Sequence, residues 1–165
     1  MFELKKISAE GVPDALEKAE RYRLLNEPRL AESICLDILE IEPANTKALV
    51  TMLLAITDEF NSSSPADVNE ARHLLSRLPS EYERHYYAGI ICERKGKSLL
   101  GKNIPDAVYT IYEWLIDAME LYEKAETIRP PGNDDALLRW NTCARLIKRY
   151  RLKPRDEKYV EPQLE

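Results

Sequence analysis

The stretch AESICLDILEIEPAN, residues 31–45, sets an alanine, then apolar residues three, four, seven and ten positions on, then a proline at twelve. Residues 118–133, AMELYEKAETIRPPGN, repeat that order. Ala31, Ile34, Cys35, Ile38 and Ile41 fall on one face of a 3.6-residue helix, and Ala118, Leu121, Tyr122, Ala125 and Ile128 do the same. Pro43 and Pro130 then end each pattern, because proline lacks the amide donor and clashes with the preceding turn. A pattern that recurs in this way marks a unit that buries its apolar face by stacking on a neighbour.

Upstream of the first copy, PDALEKAERYRLLNEP predicts a partner helix. Pro13 suits the first helical position, Asp14 the first turn, and Ala15, Ala19 and Tyr22 share a face. A short turn, NEP, leads to the second helix at Pro28 or Arg29. Helix, tight turn, helix and Pro-x-Asn over the 34 residues from Val12 to Asn45 resemble a tetratricopeptide repeat. The family's packing positions match Ala19, Tyr22, Ala31, Ile38 and Pro43, while its usual tryptophan is replaced by Ala15 and its second-helix aromatic by Cys35.

A second unit opens at Thr46 with KALVTMLLAITDEF, crosses a serine-rich loop, and continues through ADVNEARHLLSRLP, with Ser64 expected to cap and Pro65 to start its second helix. SEYE, residues 80–83, spells a capping box that opens a third unit, with Ala88 and Gly89 where the family places its small helix-crossing pair. DALLRWNTCARLIKRY, with Trp140 at the family's aromatic position, reads as a C-terminal capping helix. An insertion near residues 97–117 sets the third unit apart. Its second helix is expected to run from Pro105 to Arg129, and AVYTIYEWLI at its start is too evenly apolar for a one-sided surface helix. Either Leu99 and Leu100 fold back over it, or it forms a dimer or partner face carrying Tyr109, Tyr112 and Trp114. The expected fold class is therefore all-α. The resemblance implies antiparallel helix pairs stacked as a short right-handed α-solenoid, one domain over residues 1–150; residues 151–165 read as a polar tail, of which the proline-punctuated KPRDEKYVEPQLE, residues 153–165, is expected to be disordered.

The 165 residues suffice for one domain, and 44% hydrophobic with 32% charged residues is a globular composition. No apolar run approaches the ~20 residues of a membrane span, and the first residues, MFELKKISAEG, hold no signal-peptide core, so a cytoplasmic protein is expected. Cys35, Cys92 and Cys143 are far apart and fall within helical apolar patterns, as reduced core thiols do. Catalysis and cofactors are not indicated. GKS at residues 96–98 lacks the upstream glycine of a phosphate-binding loop, with Ile91 in its place, and reads as a turn. His85 and Cys92, with His73 elsewhere, supply too few ligands at the wrong spacing for a metal. Glu113, Asp117, Glu120 and Glu123 step by three and four along one helix, the pattern of a solvated face able to pair with the basic last helix.

In proteins of the resembled family, the first helices of successive units line a concave groove that holds a peptide or a helix. That resemblance points Leu16, Glu20, Arg23 and Leu24 inward from the first unit, and Lys47, Val50 and Leu54 from the second. The third supplies Tyr86, Ile90, Glu93 and Arg94, and the capping helix Leu138, Asn141, Arg145, Lys148 and Arg149. The groove so drawn is apolar in the middle and basic at its end, with Tyr86 as central anchor, and it suits a ligand with an acidic end. The family's chaperone readers clamp a terminal carboxylate at places held here by Leu16, Glu20 and Thr51, which argues against that version. The reading is a non-enzymatic protein-interaction or scaffold module. Two alternatives are self-association through the long helix, and an anionic or nucleic-acid binder through the seven basic residues between Arg139 and Arg155. The net charge of −5 weighs against nucleic acid.

Overall fold

The computed structural model describes residues 1–61 and 66–156, which form α-helices and contain no strand. After a 3₁₀ turn at Ala9–Gly11 come α1 (Val12–Leu24), α2 (Pro28–Ile41), α3 (Thr46–Asp58), α4 (Ala66–Leu75), α5 (Glu81–Ser98), α6 (Ala107–Thr127) and α7 (Asp135–Arg149). The ends follow local chemistry. Pro13 and Pro28 stand in the first turns of α1 and α2. Asn26 stops α1 by taking φ of 62°, a left-handed conformation that asparagine tolerates better than most residues. The Asn45 side chain accepts from the Ala48 amide at 3.0 Å, and Ser80 Oγ accepts from the Glu83 amide at 3.3 Å, capping α3 and α5. The cap expected at Ser64 and Pro65 lies outside the described residues.

Each helix packs against the next, and α1 also touches α3 as α3 touches α5. Two apolar clusters result. The first is built by α1 to α4 with Ile91 of α5, around Ala19, Cys35, Ile38, Leu49, Leu53, Ala71 and, just beyond α4, Leu78. The second is built by α5 to α7, around Ile90, Leu115, Ala118, Tyr122, Ala136 and Cys143. Leu54, Tyr87 and Trp114 are half-buried against both and join them. Gly89 lets α5 and α6 approach closely, since a Cβ there would lie 2.5 Å from Cε1 of Tyr122. All three cysteines are free and buried. No helix among the described residues is long and apolar enough to cross a membrane.

Three expectations need correction, and the fold-back alternative for the insertion finds support. Gly96 to Ser98 are not a turn but the last residues of α5, because Gly96 packs flat against Trp114 Cβ and the apolar contact carries the helix on. The long helix begins at Ala107 rather than Pro105, after Asp106 takes φ of 59°, and ends at Thr127. The apolar start of α6 is covered from several sides: Leu99, Leu100 and Ile104 pack into the second cluster, and the Arg72 guanidinium sits 5.7 Å from the centre of the Trp114 ring. Finally, residues 151–156 do not belong to a loose tail. Leu152 is buried in the second cluster, and Arg155 pairs with Glu113 at 3.1 Å and with Asp106 at 3.4 Å. Lys153 and Arg155 both lie over the Tyr109 ring. One apolar side chain among charged ones suffices for this strap, and a composition average hides it. Residues 157–165, the rest of the expected tail, lie outside the described residues.

Candidate functional site

Helical spacing lines up side chains on the three helices that touch in the order α1, α3, α5. Leu16 and Arg23 are seven apart on α1; Val50, Leu54 and Asp58 step by four on α3; Tyr86, Ile90 and Arg94 step by four on α5. Leu16, Val50, Leu54 and Tyr86 are half-buried, each resting on a core cluster while keeping part of its surface in solvent. At the N-terminal ends of α1 and α3, Pro13, Leu16, Glu20, Asn45 and Lys47 line a depression of about 430 Å³.

At the C-terminal ends of the same helices the row becomes polar. Arg23 Nε lies 2.7 Å from Asp58 Oδ2, a buried contact that is an ion pair rather than a well-aligned hydrogen bond, and Arg23 Nη2 donates to Oδ1 at 3.3 Å. Arg94 Nη1 donates to Asp58 Oδ1 and, at 3.0 Å, to Thr57 Oγ1. The Thr57 hydroxyl in turn donates to the Leu54 carbonyl at 2.7 Å, which fixes its orientation. Side-chain exposure is 20% for Arg23, 23% for Asp58 and 21% for Arg94, so the layer is sheltered without being sealed. Burial pulls the Arg94 guanidinium below its ordinary pKa. Asp58 opposes this, and the charges of Arg23 and Arg139 add to it.

Beside this layer is a tyrosine cluster. Tyr86 stacks on Tyr82 with 5.9 Å between centroids, meets Tyr87 edge-on at 5.1 Å and leans on Tyr122 at 5.9 Å. Tyr122 is fully buried, and its hydroxyl donates to Glu93 Oε2 at 2.6 Å. Burial, and then the Glu93 charge, push the Tyr122 phenol far above its usual pKa, so it is a donor at any working pH. Glu93 Oε1 accepts from Arg139 Nη1 at 3.2 Å and faces Lys97 at 3.6 Å. Burial alone would lower the Arg139 pKa, but Glu93 and Tyr86 outweigh it and leave it raised. One carboxylate thus ties together α5, α6 and α7.

The residues assigned to a groove from sequence are not all alike. Lys47, Arg145 and Arg149 are exposed. Ile90, only 2% exposed, is a core residue of the second cluster and offers no surface, because α6 covers that side of α5. Glu93, also expected to face inward, has no exposed surface for the same reason. The hydrogen bond from α7 to α5 comes from Arg139, not from Arg145 or Arg149. Tyr109, Tyr112 and Trp114 do not form one open face. Trp114 lies against Arg72 and Gly96, Tyr109 under Lys153 and Arg155, and Tyr112 against the second cluster. Trp114, two residues after Tyr112 and five after Tyr109, points to another side of α6, whereas Tyr109 and Tyr112, three apart, share a side and are met by different neighbours.

Sequence reading left out Asp58 and Tyr82, and it named Arg139 only within the basic run, not as the partner of Glu93. Asp58 was recoverable, since it stands four residues after Leu54 and shares its face. Of the carboxylates expected to form a solvated face, Glu113, Asp117, Glu120 and Glu123 are exposed; Glu123 accepts from Trp140 Nε1 at 3.0 Å and Glu113 from Arg155. No group of three or more His, Cys, Asp or Glu side chains among the described residues could hold a metal ion. The chain matches no protein-family model, no curated protein and no solved structure.

Proposed function

We propose that this is a tetratricopeptide-repeat-like protein whose helix pairs stack as a short right-handed α-solenoid closed by α7. It works as a non-enzymatic, cytoplasmic interaction module that holds an extended peptide or a helix of another protein. The observation that carries the reading is the row on α1, α3 and α5. These alternate helices touch one another and hold Leu16, Val50, Leu54 and Tyr86 half-exposed, while the intervening α2 and α4 pack between them. Apolar groups left partly in water in one row across three adjoining helices are the kind of surface that a partner covers. Aromatic and aliphatic anchors of this kind dominate binding energy at protein interfaces.

A second reading has narrower support. Arg145, Lys148 and Arg149 are exposed on α7, a patch able to meet an anionic surface, although the chain as a whole is acidic.

The test is capture of partners from a lysate of the source organism by the immobilised full chain, beside a Leu16→Ser, Val50→Ser variant with a matched unfolding midpoint. Proteins held by the wild type and lost from the variant support the reading. An identical set on both overturns it.

A further inference from the structure

Two guanidinium groups share one carboxylate at the C-terminal ends of α1, α3 and α5. Arg23 and Arg94 bring two positive charges to Asp58, and a third cation, Arg139, lies near enough to be felt by Arg94. Glu93 does not balance that surplus, because it is already engaged by Arg139, Lys97 and Tyr122. A guanidinium carries five N–H donors. Here Asp58 accepts from Nη2 of Arg23, and Asp58 and Thr57 accept from Nη1 of Arg94; Arg23 Nε is buried and faces Asp58 Oδ2 without a hydrogen bond, and among the described residues Arg23 Nη1 and Arg94 Nη2 have no acceptor. Clustered like charges at about one-fifth exposure repel with less screening than they would in water, so a second anion there relieves the repulsion as well as filling donors.

We infer that Arg23 and Arg94 hold the side-chain carboxylate of an internal aspartate or glutamate in the bound partner peptide, an inference that rests on the α1–α3–α5 face being the binding face. An internal residue fits better than a chain end because apolar groups flank the layer on both sides. Leu54 and Tyr86 precede it on α3 and α5, and Leu24, 82% exposed, stands beyond it at the end of α1. A peptide crossing the layer therefore has an apolar seat before and after its acid. Arginine is suited to the task, since its planar fork meets both carboxylate oxygens at once.

The probe is a random dodecamer library displayed on phage, with every peptide continuing into the coat protein so that no free C-terminal carboxylate is offered. Selection on the full chain is expected to enrich an aspartate or glutamate between apolar residues. An amidated synthetic copy should bind Arg94→Gln about ten- to a hundredfold more weakly, as loss of a charge-assisted contact implies. Changing the peptide's acid to its amide should cause the same loss and add little to that of Arg94→Gln. Asp58→Asn removes the competing carboxylate and should bind as tightly as the wild type or more so, whereas a purely structural role for the layer predicts weaker binding. Acid-free peptides lost on Val50→Asp but kept on Arg94→Gln would overturn this inference and leave the binding face standing. Peptides indifferent to both variants, or no enrichment at all, would overturn both.

Discussion

Gly89→Ala is the substitution whose outcome the geometry sets most sharply. In an ordinary helix it would add up to about 1 kcal/mol, because glycine loses more backbone freedom than alanine on folding. Here the new Cβ would meet Tyr122 at 2.5 Å from Cε1, 2.7 Å from Cδ1 and 3.0 Å from Cζ, against an optimum near ~3.5–4.0 Å for carbon pairs. The ring has nowhere to retreat. It is fully buried, and its hydroxyl is held by Glu93 at 2.6 Å. Overpacking of this kind costs about 1–3 kcal/mol, and at 2.5 Å from an immobile ring the upper part of that range applies, so a net loss of up to about 2 kcal/mol is expected. Gly96→Ala is the internal control: its nearest contact is 3.1 Å, from Trp114 Cβ, with the next at 3.5 Å, so its change should lie nearer zero. Urea unfolding followed by circular dichroism gives both midpoints. The clash should also vanish on a Tyr122→Leu background, where Gly89→Ala becomes neutral or stabilising. A Gly89→Ala protein at least as stable as the wild type would refute the reasoning.

The buried carboxylate and the buried thiols make two further predictions. Glu93→Ala leaves the Tyr122 hydroxyl and Arg139 without their partner and should cost roughly 3 kcal/mol, at the low end for a broken buried pair because the Arg139 side chain is 33% exposed. Glu93→Gln keeps the hydrogen bond to Tyr122 and should lose about half as much; equal urea midpoints for the two variants would contradict this assignment. Burial pushes the Cys35 and Cys143 thiols each to about 12 from an ordinary 9.0, so the folded state resists their ionisation. The stability they contribute is complete below pH ~9 and falls as pH rises toward 12, by about 1.4 kcal/mol per pH unit for each thiol. Urea midpoints at pH 8, 9.5 and 10.5 should fall less steeply for a Cys35→Ala, Cys143→Ala protein than for the wild type, and parallel slopes would count against it.

The helices were legible because their signals are local. Prolines in the first turns of α1 and α2, Ser80 at the cap of α5, and the spacing of Ala31, Cys35 and Ile38 all act within a few residues. Burial of the three cysteines followed from the same periodicity. The fate of Glu93 did not, because it is decided by Tyr122 and Arg139, 29 and 46 positions away in sequence. A helical wheel places Glu93 beside Arg94 and cannot say which of the two the next helix will cover. Ile90 failed for a related reason: it shares the spacing of Tyr86 and Arg94 but sits where α6 crosses α5. The strap escaped notice because its one buried apolar residue, Leu152, stands among basic neighbours that suggest solvent.

The strap also governs how the chain bears load. It carries the polypeptide from the end of α7 back across the start of α6, where Arg155 grips Glu113, Asp106 and Thr110. Tension applied at the C-terminal side therefore meets this set of charged contacts and the seated Leu152 before it reaches any helix. Arg155 makes its three contacts through one guanidinium, which lets go as a unit, and Lys153 over Tyr109 and the seated Leu152 follow in turn before α7 begins to peel.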